Sequence, residues 1–309
     1  MAIGFGSAGT SSASTFRNIT PSYPTVSAGD YLFLQVSMKY SDPTVSTPSG
    51  WTLLGDATGG AGTDGTVDEG NVRTYLFGKV ATGSESGTLT VTNSGGTASC
   101  LGGRIISLTK AAGETWDVSS GVTASDNTAG TSIDFAYGSD PGITANDWLV
   151  TVWAINSTAY THTHALTCSG LSSITTQSRG NVAVTGGANL RYGFVTHAIG
   201  AGTASGNATY TNTASGSATN APAGASVMVR VRVTSTGSDT PMDAAVGTFT
   251  LTGQAATFDI SMTAEAGTFT LTGNAASLEA SSGGGYLPRF DKRRRSAAAA
   301  YHLRQQGME

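Results

Sequence analysis

The sequence predicts an all-β protein, a jelly-roll-like β-sandwich built from two similar halves. Three observations predict it. Gly supplies 42 of 309 residues and charged side chains only 12%, a balance that suits neither a helical enzyme nor a charged disordered chain. Hydrophobic residues reach 39%, but many are Ala, so the supply favours thin, laterally extended β layers over one thick globule. The order of elements that starts near Asp30 also starts again near residue 143, displaced by 117 residues at Asp30/Asp147.

Taken in order, residues 1–25 are polar, carry Pro21 and Pro24, and suit an edge strand followed by a loop. The run Tyr31–Met38 is almost continuously apolar, the pattern of a strand buried on both faces. Ser49-Gly50-Trp51-Thr52-Leu53-Leu54 reads as a short strand with Trp51 in the core, and residues 55–70 as a long acidic loop. Tyr75–Thr92 reads as strand, Gly/Ser turn, strand. In its second arm Leu89 and Val91 alternate with Thr88, Thr90 and Thr92, which places Thr on the wet face. Ile105–Leu108 is the next strand.

The second series runs through Trp148–Trp153, Ser169-Gly170-Leu171, Tyr192–Thr211 and Ser226–Val231. Tyr75, Ala81 and Gly83 recur as Tyr192, Ala198 and Gly200 at the same 117 offset. The halves are therefore read as about 1–118 and 119–237, within one domain spanning 1–237. Because each half has few large apolar residues, a single shared sandwich is the favoured arrangement.

Residues 242–281 hold a stricter repeat. Two 20-residue units share 12 of 20 positions, with GTFTLTG unchanged, and each reads as strand–turn–strand. One unit cannot bury its own apolar face, so the pair must stack on itself or on a partner. This region, 238–285, ends in a Gly283–Gly285 hinge. The 286–309 arm carries six basic and two acidic side chains, net +4, leaving −8 for the rest of a chain whose total is −4. Asp291 could cap an Ala-rich helix over Lys292–Gln305.

No basic segment followed by an apolar core opens the chain, so no Sec-type signal peptide is expected, and no run approaches the length of a membrane span. Cys100 and Cys168 make neither a disulfide framework nor a metal site; two small buried thiols is the favoured reading. The motif search finds no G-x-S-x-G elbow, H-E-x-x-H, P-loop or C-x-x-C. No catalytic residue, cofactor or metal ligand is assigned, and the protein is expected not to be an enzyme.

Weaker constellations remain. His162 and His164 have the spacing of two metal ligands on one strand face, but without a third ligand nearby a solvated loop pair is preferred. Asp64, Asp68 and Glu69 could offer hard oxygen ligands, though they match no calcium loop. Asp30 and Asp147 are expected to close turns through backbone N–H groups. Among the aromatic residues, Trp116, Tyr160 and Tyr210 are the candidates for an exposed glycan platform. Arg289, Lys292, Arg293, Arg294 and Arg295 suit docking on an acidic protein surface better than nucleic acid.

Three motifs carry a resemblance: SGWTLLG at 49–55, KVATGSESGTLTVT at 79–92, and the AGTFTLTG-type repeats. With them the chain resembles virion structural proteins of tailed bacteriophages. The resemblance implies a head decoration protein, a neck or collar spike, or a tail fibre, assembled in the host cytoplasm, with other virion proteins as partners. It brings no catalytic residues. The two short repeat units, with apolar faces to cover, argue for a homo-oligomer, trimer favoured. A carbohydrate-binding or adhesin module for host-surface attachment is the alternative.

Overall fold

The computed structural model describes residues 3–14, 18–39, 44–60, 71–94, 100–127, 132–156, 161–184, 190–215 and 224–235. The chain divides between Gly237 and Ser238, and every described residue lies on the N-terminal side. The 242–281 repeats, the Gly283–Gly285 hinge and the basic arm with Arg289 and Lys292–Arg295 lie outside the described residues, as do Tyr160, Asp64, Asp68 and Glu69.

The described residues form no helix, and their strands fall into two series of nine. The first comprises β1 (Gly4–Ala8), β2 (Ser12–Ser14), β3 (Asn18–Ile19), β4 (Tyr31–Lys39), β5 (Thr44–Val45), β6 (Thr52–Gly59), β7 (Val72–Val80), β8 (Val91–Ser94) and β9 (Cys100–Thr109). The second comprises β10 (Glu114–Val118), β11 (Val122–Asp126), β12 (Ser132–Ala136), β13 (Trp148–Ile155), β14 (Thr161–Thr167), β15 (Leu171–Val184), β16 (Leu190–Gly202), β17 (Thr209–Ser215) and β18 (Gly224–Ser235). In the first series β1-β9-β4-β7-β6 form a large sheet, with β2 also on β9, and β3-β8-β5 form a small one. The second series repeats this strand for strand, as β10-β18-β13-β16-β15 with β11 on β18, and β12-β17-β14. Pairing is antiparallel and nested, β2 with β9, β3 with β8 and β4 with β7, which is the jelly-roll plan.

Three cores stack these sheets into four layers. Between the first small and large sheets lie Ile19, Val91, Leu34, Trp51 and Phe77. Between the second pair lie Ile133, Phe135, Tyr210, Leu149 and Trp153. The third core joins the two large sheets face to face, through Phe33, Leu76 and Ile106 on one side and Val150, Phe194 and Val229 on the other. Each half thus closes its own sandwich, in place of the single shared one that residue supply favours. The central core is the reason. It gives each half the apolar burial it lacks alone, and it leaves β4 buried on both faces along all nine residues. Gln35 crosses this core, donating from Nε2 to the Trp153 carbonyl at 2.9 Å and to Ser37 Oγ at 2.9 Å.

Register refines the duplication. Gly29 N bonds the Ala81 carbonyl, and Asn146 N bonds the Ile199 carbonyl, so the offset is 117 at the first partner and 118 at the second. Val36 faces Tyr75, whereas its counterpart Trp153 faces Gly193. Tyr192 therefore does not replace Tyr75. With one net extra residue before β16, Gly193 takes the place of Tyr75, so Tyr75 faces the outer core and Tyr192 the central one. The halves also meet earlier than residue 118, at the turn of 110–113, because β10 pairs with β18.

Tyr75–Thr92 differs from a hairpin as well. Its first arm, β7, lies in the large sheet and its second, β8, in the small one, so the intervening turn arches from layer to layer. Residues 87–89 pair instead with 21–23, through Tyr23 N to the Gly87 carbonyl and Leu89 N to the Pro21 carbonyl. β16 and β17 make the same crossing in the second half.

Candidate functional site

The densest group of titratable side chains lies in the outer core of the second half. On β14, Thr163 and Ala165 face solvent while His162 and His164 turn inward, since successive side chains on a strand alternate. The two imidazoles stack at 6.4 Å and lie 4.9 and 5.6 Å from the Trp153 ring on β13. Tyr210 on β17 packs against His164 and against His197 of β16, which is fully buried. His162 Nδ1 lies 2.7 Å from Asn212 Oδ1, His164 Nδ1 lies 2.7 Å from the Tyr210 hydroxyl, and His197 Nδ1 lies 2.9 Å from Thr176 Oγ1. His162 and His164 thus form part of a packed core, where the sequence favours a solvated loop pair.

Burial sets the chemistry of this cluster. Loss of solvation pushes His162 and His164 down to about 4 and His197 down to about 3. The Asn212 bond lifts His162 in part, while Arg191 beside His162, His162 beside His164, and His164 beside His197 push downward. At neutral pH all three rings are uncharged. Among the described residues no group of three or more His, Cys, Asp or Glu side chains is placed to hold a metal ion. His197 was not legible as a member, because 33 residues separate it from His164 and nothing in its spacing points to the pair.

Two carboxylates act as turn anchors. Asp30 Oδ2 accepts from Ser27 N at 2.8 Å, and Asp147 Oδ2 accepts from Thr144 N at 2.7 Å, the expected turn closure in both copies. Asp147 is fully buried and also takes a two-point ion pair from Arg232, at 2.7 and 2.8 Å. In the first half Glu85 holds the arch between the sheets. Its carboxylate accepts from Thr82 N and Gly83 N at 3.0 Å each and lies 2.7 Å from Lys79 Nζ. Against the upward push of desolvation, Lys79 and these N–H groups hold Glu85 down to about 2. Its stabilisation is therefore complete above pH 4.5 and is lost as pH falls through about 2. Glu85→Gln is expected to cost about 1–2 kcal/mol at pH 7. Denaturant titration checks this, with the difference from the parent protein narrowing towards pH 2.

Of the aromatic candidates, Trp116 and Tyr210 do not form a common platform. Tyr210 is fully buried, enclosed by Phe135, His164 and His197, so it offers no face to a ligand. The ring of Trp116 is half-buried, meets Tyr31 edge-on at 5.7 Å, and donates from Nε1 to the Gly29 carbonyl at 2.7 Å. Cys100 is buried and Cys168 partly so, and the two are not joined in a disulfide. Asp56 lies on β6, where it pairs with Arg73, so the acidic loop begins later than residue 55.

These features define an all-β protein of duplicated jelly-roll-like build. Comparison with protein-family models, with curated proteins and with solved structures finds no match.

Proposed function

We propose that this chain is a non-enzymatic structural component of a tailed phage particle, of the head-decoration, neck or collar spike, or tail-fibre kind. It displays the duplicated sandwich outward and docks on other virion proteins through residues 238–309. The observation that carries the reading is the division between inside and outside. Apolar and aromatic side chains are spent on three stacked cores, and Leu53 and Val80 are the large exposed apolar residues among those described. The outer face of the second small sheet shows Thr163, Ala165, Thr167 and Thr213. Such a body tolerates display on a crowded particle without offering apolar patches for non-specific association. The basic arm, the stacking repeats and the motif resemblance supply the docking side.

Antibodies raised against residues 1–237 are expected to label purified particles, and chains truncated after Gly237 to be left out of them. Absence of label on any particle, with the protein confined to the soluble fraction of the lysate, overturns the reading. Light scattering of the full-length protein tests the expected homo-oligomer.

A further inference from the structure

The two poles of the central core are built from equivalent residues, yet only one is filled. In the register, Leu108 faces both Tyr31 and Phe5, and Val231 faces both Trp148 and Val118. Tyr31 and Trp148 are therefore equivalent, as are Phe5 and Val118. Two residues earlier along the chain, Ile3, just before β1, is the counterpart of Trp116 on β10. Gly29 and Asn146 also match, each with positive φ, 90° and 69°, and each bonded through N to the β7 or β16 side.

At the first pole the Trp116 indole covers Tyr31 and donates to the Gly29 carbonyl. At the second pole the shorter Ile3 stands in the place of the indole. An open cleft of about 270 Å³ results, lined by Ile3, Asn146, Trp148, Ser173, Thr175 and Gly200 among others. The second pole has one further difference. Leu53 and Ser178 face equivalent residues, Phe77 and Val195, so β15 extends well beyond the start of β6. Ser173 and Thr175 lie on that extension and add a hydroxyl-bearing wall with no counterpart in the first half.

We propose that this cleft is a binding site for a hexopyranose unit of a glycan. The half-buried Trp148 supplies an apolar surface for the C–H face of the ring. The exposed Asn146 carboxamide and the Ser173 and Thr175 hydroxyls supply both donors and acceptors for the sugar hydroxyls. An aromatic side chain from a partner would use the Trp148 surface but not this polar wall. The Arg179 guanidinium lies over Phe5 at 4.0 Å and 6.0 Å from the Trp148 ring, with its Nε on Thr196, but it does not line the cleft, and none of the lining side chains is charged, so the site is built for a neutral sugar. The site goes beyond the structural role proposed above and does not depend on it.

The test applies the full-length protein to an array of neutral hexose oligosaccharides, with hits titrated by calorimetry. Ile3→Trp should fill the cleft as Trp116 fills the other pole, weakening binding at least tenfold in a protein that remains folded. Ser173→Ala combined with Thr175→Val is the second variant, and it decides if Ile3→Trp does not fold. A tenfold or greater loss there supports the site. No binding by the parent protein at millimolar sugar overturns it, and so does binding that both folded variants retain. Particle labelling is a separate measurement, so failure here leaves the structural role to stand or fall alone.

Discussion

Acidification from pH 7 to pH 4 is expected to loosen the second half of the sandwich body before the first. His162, His164 and His197 share one outer core with Trp153, Tyr210 and Tyr137, and burial lowers all three imidazoles. Their folded values lie below the ordinary 6.5, so the folded state binds fewer protons than the unfolded chain. The stability this confers is complete above pH 6.5 and is lost as pH falls through about 4. At about 1.4 kcal/mol per unit, and discounted for the partial exposure of two rings, the loss by pH 4 is on the order of 5 kcal/mol. That is a large share of the roughly 5–15 kcal/mol that holds a typical domain folded. The first series of strands contains no histidine, so the effect is one-sided. Hydrogen exchange at pH 7 and pH 4.5, corrected for intrinsic rate, reads it directly. Protection should fall in β12, β14 and β17 while β3, β5 and β8 keep theirs, and Trp153 emission should change with it. Equal loss in both halves, or none in either, would contradict the expectation.

Gly59→Ala is the second change with a large expected effect. Gly59 ends β6, where the first large sheet runs against the second half, and a Cβ there would collide with the Gly224 carbonyl oxygen at the start of β18. Neither partner is a flexible side chain that could swing away. Gly224 is itself packed against Ala154 and Phe135, so the clash cannot be passed outward cheaply. Overpacking of this kind costs about 1–3 kcal/mol, and here the obstruction is backbone, so the upper end applies. A shift of the denaturation midpoint, with an unchanged slope, would be the reading. By contrast, Gly113→Ala should cost less, because no atom lies within 4 Å of the added group and only the φ of 79° resists it.

The strands themselves were legible in the sequence because burial on both faces leaves an unbroken apolar run, as in Tyr31–Met38 and Ser226–Val231. Sheet membership was not. β7 and β8 carry the same alternation whether their connection is a hairpin or an arch, and the deciding bonds run to residues 21–23. The one-residue difference before β16 was hidden because Tyr192 happens to fall where a straight 117 offset puts a tyrosine. Its neighbours decide the face: Leu76 corresponds to Phe194, and both point into the central core. The histidines failed for a different reason. In Thr161–Thr167 neither Thr nor His is strongly apolar, so the period of two is present without a hydrophobic phase to mark the inner face. The cleft at Trp148 depends on the Ile3 and Trp116 equivalence, which exists only once both strand registers are known.

The face-to-face union of the two large sheets has a consequence for how the protein keeps its shape. A core shared by two equivalent halves is what a homodimer buries, here between segments joined by the short turn at 110–113. Tethering makes their meeting intramolecular, so the pairing does not weaken on dilution as a true dimer would. It also frees each copy to drift from the other, since no symmetry forces a change on both sides at once. The net one-residue shift before β16, the longer β15, the histidines of the second series and the Trp116 indole over one pole are what that freedom permits. In this sense the molecule is a dimer that has been allowed to become unequal.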